Sequence, residues 1–345
     1  MPDDLPDLGL CLAVPPILLA EHGRLAAAAE EAGAAVVAVG EARYDSLATA
    51  ALVITATRRI PVMTAATTWA RSPVSTAVGA LTLAEMSEGR FTLGLGTMPA
   101  AWNRDFHGID PTRPLARLRE YVAVIRAACQ AWAGSPADFT GEFFSVAGYG
   151  ADRAEPPAYP VPVHLAATRP AMARLAAEIG DGVIINVVHT PRWLHERVLP
   201  ALAKGDASSE GRAHRTVMLR VVVHDGSRRG SAEAMSEAGA SLIRYRQVPY
   251  FREIATAEGL DPDRLEPEHL ITRFVAVGTV DETVDRLASY RDNCDAVLLT
   301  PASGLTPYRQ ALTYQALLAL VARQARGPRG DARPASHLPV EPGRP

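Results

Sequence analysis

The chain reads as a (β/α)8 TIM barrel, an α/β fold of parallel strands each followed by a helix, with a helical insertion after strand seven and a disordered C-terminal tail. Three observations predict it. Short apolar runs alternate with longer amphipathic ones, the pattern of βα units around a parallel sheet. There are eight such runs, which suits a closed barrel better than an open sheet. Most are apolar throughout, as strands covered on both faces must be.

In chain order the strands are expected at Leu8–Val14, Ala35–Gly40, Ile60–Ala66, Phe91–Gly96, Pro162–Ala167, Gly182–Asn186, Thr216–His224 and Asp295–Thr300. Helix signals fall between them. Ser72 before Pro73 pairs a hydroxyl N-cap with a proline at the first helical position, where no amide hydrogen is needed. Gly33 and Gly180 stand where C-terminal caps belong. From Arg117 to Trp132, residues Leu118, Tyr121, Val122, Ile125, Ala128 and Cys129 share one helical face. Two stretches depart from the alternation. Phe139–Val146 reads as a hairpin, followed by a crossing rich in proline (Pro156, Pro157, Pro160, Pro162). From about Gly230 to Thr272 runs a polar helical insertion carrying an aromatic and basic cluster of Arg244, Tyr245, Arg246, Tyr250, Phe251 and Arg252. Barrel and insertion are assigned to residues 1–326, one domain despite the length. The tail 327–345, rich in Pro, Arg and Gly, has little to bury and is expected to be disordered.

Composition narrows the function. Basic and acidic residues nearly balance, 35 against 38, and no basic stripe stands out, which argues against nucleic acid or an anionic membrane as partner. Cys11, Cys129 and Cys294 are scattered and odd in number, with no metal-ligand spacing, so free thiols in a reducing compartment are expected. Asp3, Asp4 and Asp7 reverse the basic start of a secretory signal. The apolar stretch Leu8–Ala20 is broken by Pro15 and Pro16 and is too short to cross a bilayer. A cytoplasmic protein is expected.

A barrel of this kind carries its site at the C-terminal strand ends. Strand two ends in Gly40-Glu41-Ala42-Arg43-Tyr44-Asp45 and strand three in Ala65-Ala66-Thr67-Thr68-Trp69. Strand four ends in Gly94-Leu95-Gly96-Thr97-Met98, strand five in Ala166-Ala167-Thr168-Arg169-Pro170, and strand six in Ile185-Asn186-Val187-Val188-His189.

These tips belong to a wider pattern. It includes Arg71-Ser72-Pro73, Ala80-Leu81-Thr82-Leu83 and the block Ser87-Glu88-Gly89-Arg90-Phe91-Thr92-Leu93-Gly94-Leu95-Gly96-Thr97. Further pieces are Arg117-Leu118-Arg119-Glu120-Tyr121, Gly141-Glu142-Phe143-Phe144, the Gly180-Asp181-Gly182 turn, Val277-Gly278-Thr279 and Asp295-Ala296-Val297-Leu298-Leu299. Over about residues 8–325 the chain resembles the luciferase-like family, and within it the branch of oxidoreductases that use the deazaflavin coenzyme F420.

The resemblance implies a deazaflavin, or alternatively flavin mononucleotide (FMN), in the barrel mouth. It places at Thr64, Ala65 and Ala66 a bulge, often with a non-prolyl cis peptide, that supports the tricyclic ring. It aims Thr97 at the cofactor, next to Gly96, whose missing side chain lets the backbone come close. It gives the cofactor's phosphate to Ala167 and Thr168, before a helix starting near Pro170, with Asn186 and His189 from strand six; helix N-terminal amides attract such an anion.

The chain also departs from the family. Relatives place an acid and then a histidine at the second strand tip, where Glu41 is followed here by Ala42. An acid that some relatives carry after strand four is replaced near Met98–Pro99. Hydride transfer to an imine or enone still requires a proton. Glu41, His107 and Tyr44 are the candidate catalytic residues, with Tyr245 a further mouth hydroxyl. His107 ranks first as proton donor because its ordinary pKa of about 6.5 suits neutrality.

The expected function is an F420-dependent oxidoreductase moving a hydride to or from a small organic substrate. Many Ala, Arg and Pro residues fit a GC-rich actinobacterial genome, where enzymes that resemble this one often serve secondary metabolism. The alternatives are an FMN-dependent monooxygenase and a non-catalytic cofactor-binding paralogue. No metal is expected, and a homodimer is one expected assembly.

Overall fold

The computed structural model describes residues 5–12, 17–41, 43–209, 211–243, 245, 248–263 and 267–326, the stretch 267–270 as backbone only. Ala13 and Val14 at the first strand end, Pro15, Pro16, Ala42, Arg244, Arg246 and the tail 327–345 lie outside the described residues.

The first half runs β1 (Asp7–Cys11), α1 (Leu19–Ala32), β2 (Val37–Val39), α2 (Ser46–Ala56), β3 (Val62–Thr64), β4 (Thr67–Thr68), α3 (Pro73–Met86), β5 (Phe91–Gly96), α4 (Ala100–His107) and α5 (Pro114–Gln130). The antiparallel hairpin of β6 (Ala137–Thr140) and β7 (Ser145–Tyr149) follows. Then come β8 (Val163–Ala167), α6 (Pro170–Ile179), β9 (Gly182–Ile185), α7 (Pro191–Trp193), a π-helical turn at Leu194–Val198, α8 (Leu199–Asp206) and β10 (His214–Val223). The chain finishes with α9 (Arg228–Ile243), α10 (Pro249–Ala257), α11 (Pro267–Phe274), β11 (Ala276–Gly278), α12 (Val280–Ala288), β12 (Ala296–Pro301) and α13 (Pro307–Ala325).

Eight parallel strands close into a barrel in the order β1-β2-β3-β5-β8-β9-β10-β12, with β12 returning to β1. They are the eight apolar runs expected from the sequence. Two short strands extend the wall at its upper rim. β4 pairs Thr67 with Leu95 and Thr68 with Gly96 above the end of β3, and β11 pairs with Val221–Val223 where β9 has left β10.

Alternation along each strand sorts the core. Leu10, Val37, Val39, Val62, Leu93, Leu95, Leu165, Val183, Ile185, Val217, Leu219, Val297 and Leu299 pack outward beneath the helices. Cys11, Ala38, Met63, Ala65, Ile184, Met218 and Leu298 pack together inside the barrel. Each large aliphatic so buried contributes about 1.5–3 kcal/mol. Period two therefore carries Arg220, two residues beyond Met218, onto the inner face, where it is only 3% exposed.

Helix ends follow local chemistry. Ser72 caps α3 by accepting from the Ser75 amide with Pro73 in the first turn, as expected. Gly33 closes α1 in the left-handed conformation (φ 83°), where a Cβ would be strained. Gly180 ends α6 with extended backbone instead; there the glycine is required by space, since a Cβ would stand 2.7 Å from the Ala176 carbonyl. At the lower end of the barrel His164 stacks on His214 with ring centroids 5.5 Å apart, over Gly182. Burial pushes His164 down to about 4, so it is neutral at physiological pH.

Candidate active site

The barrel mouth is built from five strand tips. At the third, a cis peptide joins Ala65 to Ala66, at the position where the resemblance places one. It separates β3 from β4, so strand three ends at Thr64, not Ala66 as expected from the sequence. The Thr64 hydroxyl donates to the Gly94 carbonyl (2.8 Å) and accepts from the Gly94 amide (2.9 Å). Gly94 is obligatory for this close approach, because a Cβ there would lie 1.8 Å from the Thr64 carbonyl oxygen. One layer above, a Cβ on Gly96 would meet Ala66 Cβ at 3.2 Å and Ala166 Cβ at 3.6 Å. Ala66, Gly96 and Ala166 thus form a low surface of small residues on one wall of the mouth.

Glu41, two residues past β2, sits beside this surface and its amide donates to the Ala66 carbonyl (3.4 Å). Its carboxylate is held on both oxygens. Oε2 accepts from the Ser46 hydroxyl (2.6 Å) and the Thr68 amide (3.4 Å), and Oε1 pairs with Arg71 (3.4 Å). The Ser46 hydroxyl also meets that of Thr67 (2.9 Å), and Arg71 pairs with Asp45, the N-cap of α2. Tyr44 packs its ring edge-on against His22 (5.9 Å) beneath the Arg43 guanidinium.

After β5, Thr97 is half-buried and its carbonyl accepts from Asn103 Nδ2 (2.6 Å). Asn103, 1% exposed, also accepts from Trp69 Nε1 (2.9 Å), so one side chain joins the tips of strands three and four. The segment after Thr97 folds as the helix α4, and His107 closes it as an exposed residue, followed by Gly108 in the left-handed conformation. The structure does not bring His107 together with Glu41. Trp102 and Phe106 stand exposed on the same helix.

Ala167 is buried at the end of β8 and Thr168 is half-buried. The N-cap of α6 is Arg169, one residue later than a Thr168 cap would be, and it makes no capping bond; the α6 N-terminus is left without a side-chain cap. The Thr168 carbonyl accepts from Trp193 Nε1 (3.0 Å). Asn186 is half-buried beside Ala167, whose carbonyl takes the Asn186 amide (3.1 Å). His189 differs from expectation. It is 2% exposed, its Nδ1 lies 2.8 Å from the Asn186 carbonyl and its Nε2 lies 3.1 Å from the Tyr290 hydroxyl, so neither ring nitrogen is open to a ligand. Burial pushes it down to about 4. The insertion reaches these loops: Glu253 of α10 pairs with Arg169 (3.0 Å), and buried Glu258 accepts from the Thr190 hydroxyl.

Asn103, Gly94, the Ser46–Thr67–Arg71 set around Glu41, and Arg220 were not singled out by the sequence reading. Arg220 had the clearest signal, a lone charge inside the apolar run Val217–Val223. Among the described residues no cluster could hold a metal ion, and no helix is long and apolar enough to cross a membrane.

Residues 12–296 match the luciferase-like monooxygenase family. The chain belongs to that family. It is 31% identical over 214 residues to the F420-dependent glucose-6-phosphate dehydrogenase of Beutenbergia cavernae, a match covering 61% of this chain and 62% of that protein. The chain thus matches less than two thirds of that relative's length. Among solved structures, an F420-dependent secondary alcohol dehydrogenase in complex with an F420-acetone adduct superposes with a TM-score of 0.73 at 17% identity, over 92% of this chain and 98% of that one. The oxygenating constituent of 3,6-diketocamphane monooxygenase from Pseudomonas putida, in complex with FMN, gives 0.72 at 16% identity, over 92% and 97%. At these identities the two structures establish the shared fold.

Proposed function

We propose that this family member is an F420-dependent oxidoreductase that moves a hydride between the deazaflavin and a small organic substrate. The observation that carries the reading is the surface of Ala66, Gly96 and Ala166, where no side chain larger than a methyl group stands against the place of a flat tricyclic ring. The F420-dependent relative supports the choice of deazaflavin.

The residues present fit the group. Ala65, Ala66, Gly96 and Thr97 would face the ring. Ala167, Thr168 and Asn186 would hold its phosphate at the uncapped start of α6, where backbone amides and the helix dipole favour an anion. His189 supports that loop through the Asn186 carbonyl and does not touch the cofactor. Bound there, the deazaflavin supplies a two-electron hydride donor or acceptor that reacts poorly with oxygen. Glu41, held on both oxygens, positions the second and third strand tips. The exposed Trp102 and Phe106 on α4 offer an apolar surface at the rim for the substrate.

A second reading, an FMN-dependent monooxygenase, is favoured by the FMN-bound neighbour of the same fold. Fluorescence titration of the purified protein with F420 and with FMN, each oxidised and reduced, separates the two. Micromolar or tighter F420 with much weaker FMN is the expected result. Equal or tighter FMN would move the reading to the monooxygenase, and binding of neither would remove both.

A further inference from the structure

On the outside of the barrel a groove of about 770 Å³ follows the outer face of α6, with α5 as one wall and the π-helical turn and α8 as the other. It includes Pro170 and Ala171 in the first turn of α6 and continues past Arg174 and Leu175 to Glu178. The residue types explain the recess. Ala171 adds little bulk to the outer face of the first turn, while Ala173, Ala176 and Ala177 on the buried face let α6 sit close to the sheet. Gly205 fixes one wall: a Cβ there would stand 2.3 Å from the Arg174 carbonyl oxygen, so only glycine lets α8 approach α6 so closely.

The groove is positively charged. Arg119, Arg174, Arg197 and Lys204 line it, against the carboxylates of Glu178 and Glu196. Both carboxylates are already engaged, Glu178 with Arg119 (3.0 Å) and Glu196 with Arg192 (3.0 Å). Arg197 lies over the Trp193 ring at 5.4 Å. Among the described residues Arg174, Arg197 and Lys204 have no carboxylate partner, and all three are exposed. Neighbouring cations of one sign focus an attractive field on an anion. Their spacing decides which kind. Arg197 and Lys204 are seven residues apart along a helical stretch, roughly 10 Å at the usual rise. One small anion cannot meet both, whereas a chain bearing a carboxylate on each unit can.

We infer that this groove binds the oligoglutamate tail of coenzyme F420. The inference rests on the reading of this protein as an F420-dependent oxidoreductase and extends the phosphate site proposed at the start of α6. In F420 the glutamate chain continues beyond the phosphate on the side away from the ring, and each added residue adds a carboxylate. The groove shares its first residues, Pro170 and Ala171, with the helix start that would hold the phosphate. Arg174, Arg197 and Lys204 receive the carboxylates of the chain, and its methylenes lie on Leu175 and Ala201. FMN ends at its phosphate and has nothing to place there, so the groove favours the deazaflavin over the flavin.

The test is a fluorescence titration with two forms of F420, one with a tail of about five glutamates and one ending at the phospholactyl group, at low and at high salt. The long form should bind about tenfold tighter at low salt, and most of that advantage should vanish at high salt, because exposed ion pairs are screened. Arg174→Glu combined with Lys204→Glu should abolish the advantage while the tailless form keeps its affinity within about twofold, since these cations act only beyond the phosphate. The Arg174→Gln and Lys204→Gln pair serves if the charge reversal does not fold. Equal affinity of the two forms for the parent, or an undiminished advantage in either folded variant, would overturn the groove assignment and leave the cofactor reading standing. A parent that binds neither form would sink the cofactor reading and the groove assignment with it.

Discussion

Acidification from pH 7 to 4.5 should destabilise this fold by about 5 kcal/mol through two buried histidines. His164 and His189 are both pushed down to about 4, in each case first by burial. His214 adds to this at His164, while at His189 a hydrogen bond with Asn186 works in the opposite direction and Arg286 and Arg220 reinforce burial. In the unfolded chain each returns to about 6.5. A folded-state pKa below the unfolded one means that the unfolded chain binds the proton more readily. The stabilisation is therefore complete above about pH 6.5, is lost as pH falls from 6.5 toward 4, and declines no further once both states are protonated. A gap of about 2.5 pH units corresponds to about 3.4 kcal/mol for each histidine at the limit, and about 2.5 kcal/mol each by pH 4.5. Carboxylates held low, such as Asp45 and Asp295, lose their contribution only at lower pH, so this window belongs to the histidines. Urea unfolding at steps between pH 7 and 4.5 measures the effect, and His189→Gln should lose about half as much stability over the range. A parent midpoint that stays constant from pH 7 to 5 would refute the argument.

Three substitutions test the mouth. Gly96→Val should weaken F420 binding at least tenfold in a fluorescence titration, because its methyl groups occupy the ring surface, while the thermal midpoint stays close to the parent's. Asn103→Ala removes bonds to Trp69 and Thr97 and leaves the buried Trp69 indole N–H and the part-buried Thr97 carbonyl unsatisfied, a cost of about 2–4 kcal/mol readable in urea unfolding. His107→Ala should change neither F420 affinity nor turnover by more than twofold, since that ring lies exposed at the end of α4; a tenfold fall in turnover would restore it as proton donor.

The strands were legible because a parallel barrel wall buries both faces, and such runs stand out in any sequence. The small-residue surface was legible in part: the resemblance singled out Ala66 and Gly96, while Ala166 and the close approach at Gly94 emerge only from the fold. What escaped was direction. A turn after a strand can aim a side chain outward or inward, and His189 turned inward onto Tyr290. The α6 start at Pro170 falls where the sequence placed it, but its N-cap is Arg169, which makes no capping bond. β11, three residues long, forms only because β9 leaves the upper half of β10 without a partner, a fact of tertiary packing. Arg220 was hidden because a count of apolar periodicity passes over the one charge that interrupts it.

The most direct test of the central claim is a crystal structure of the protein with F420. The account predicts the tricyclic ring against Ala66, Gly96 and Ala166, with the phosphate at the start of α6 between Thr168 and Asn186. A ring bound away from that surface, or a phosphate held elsewhere than the α6 N-terminus, would contradict it.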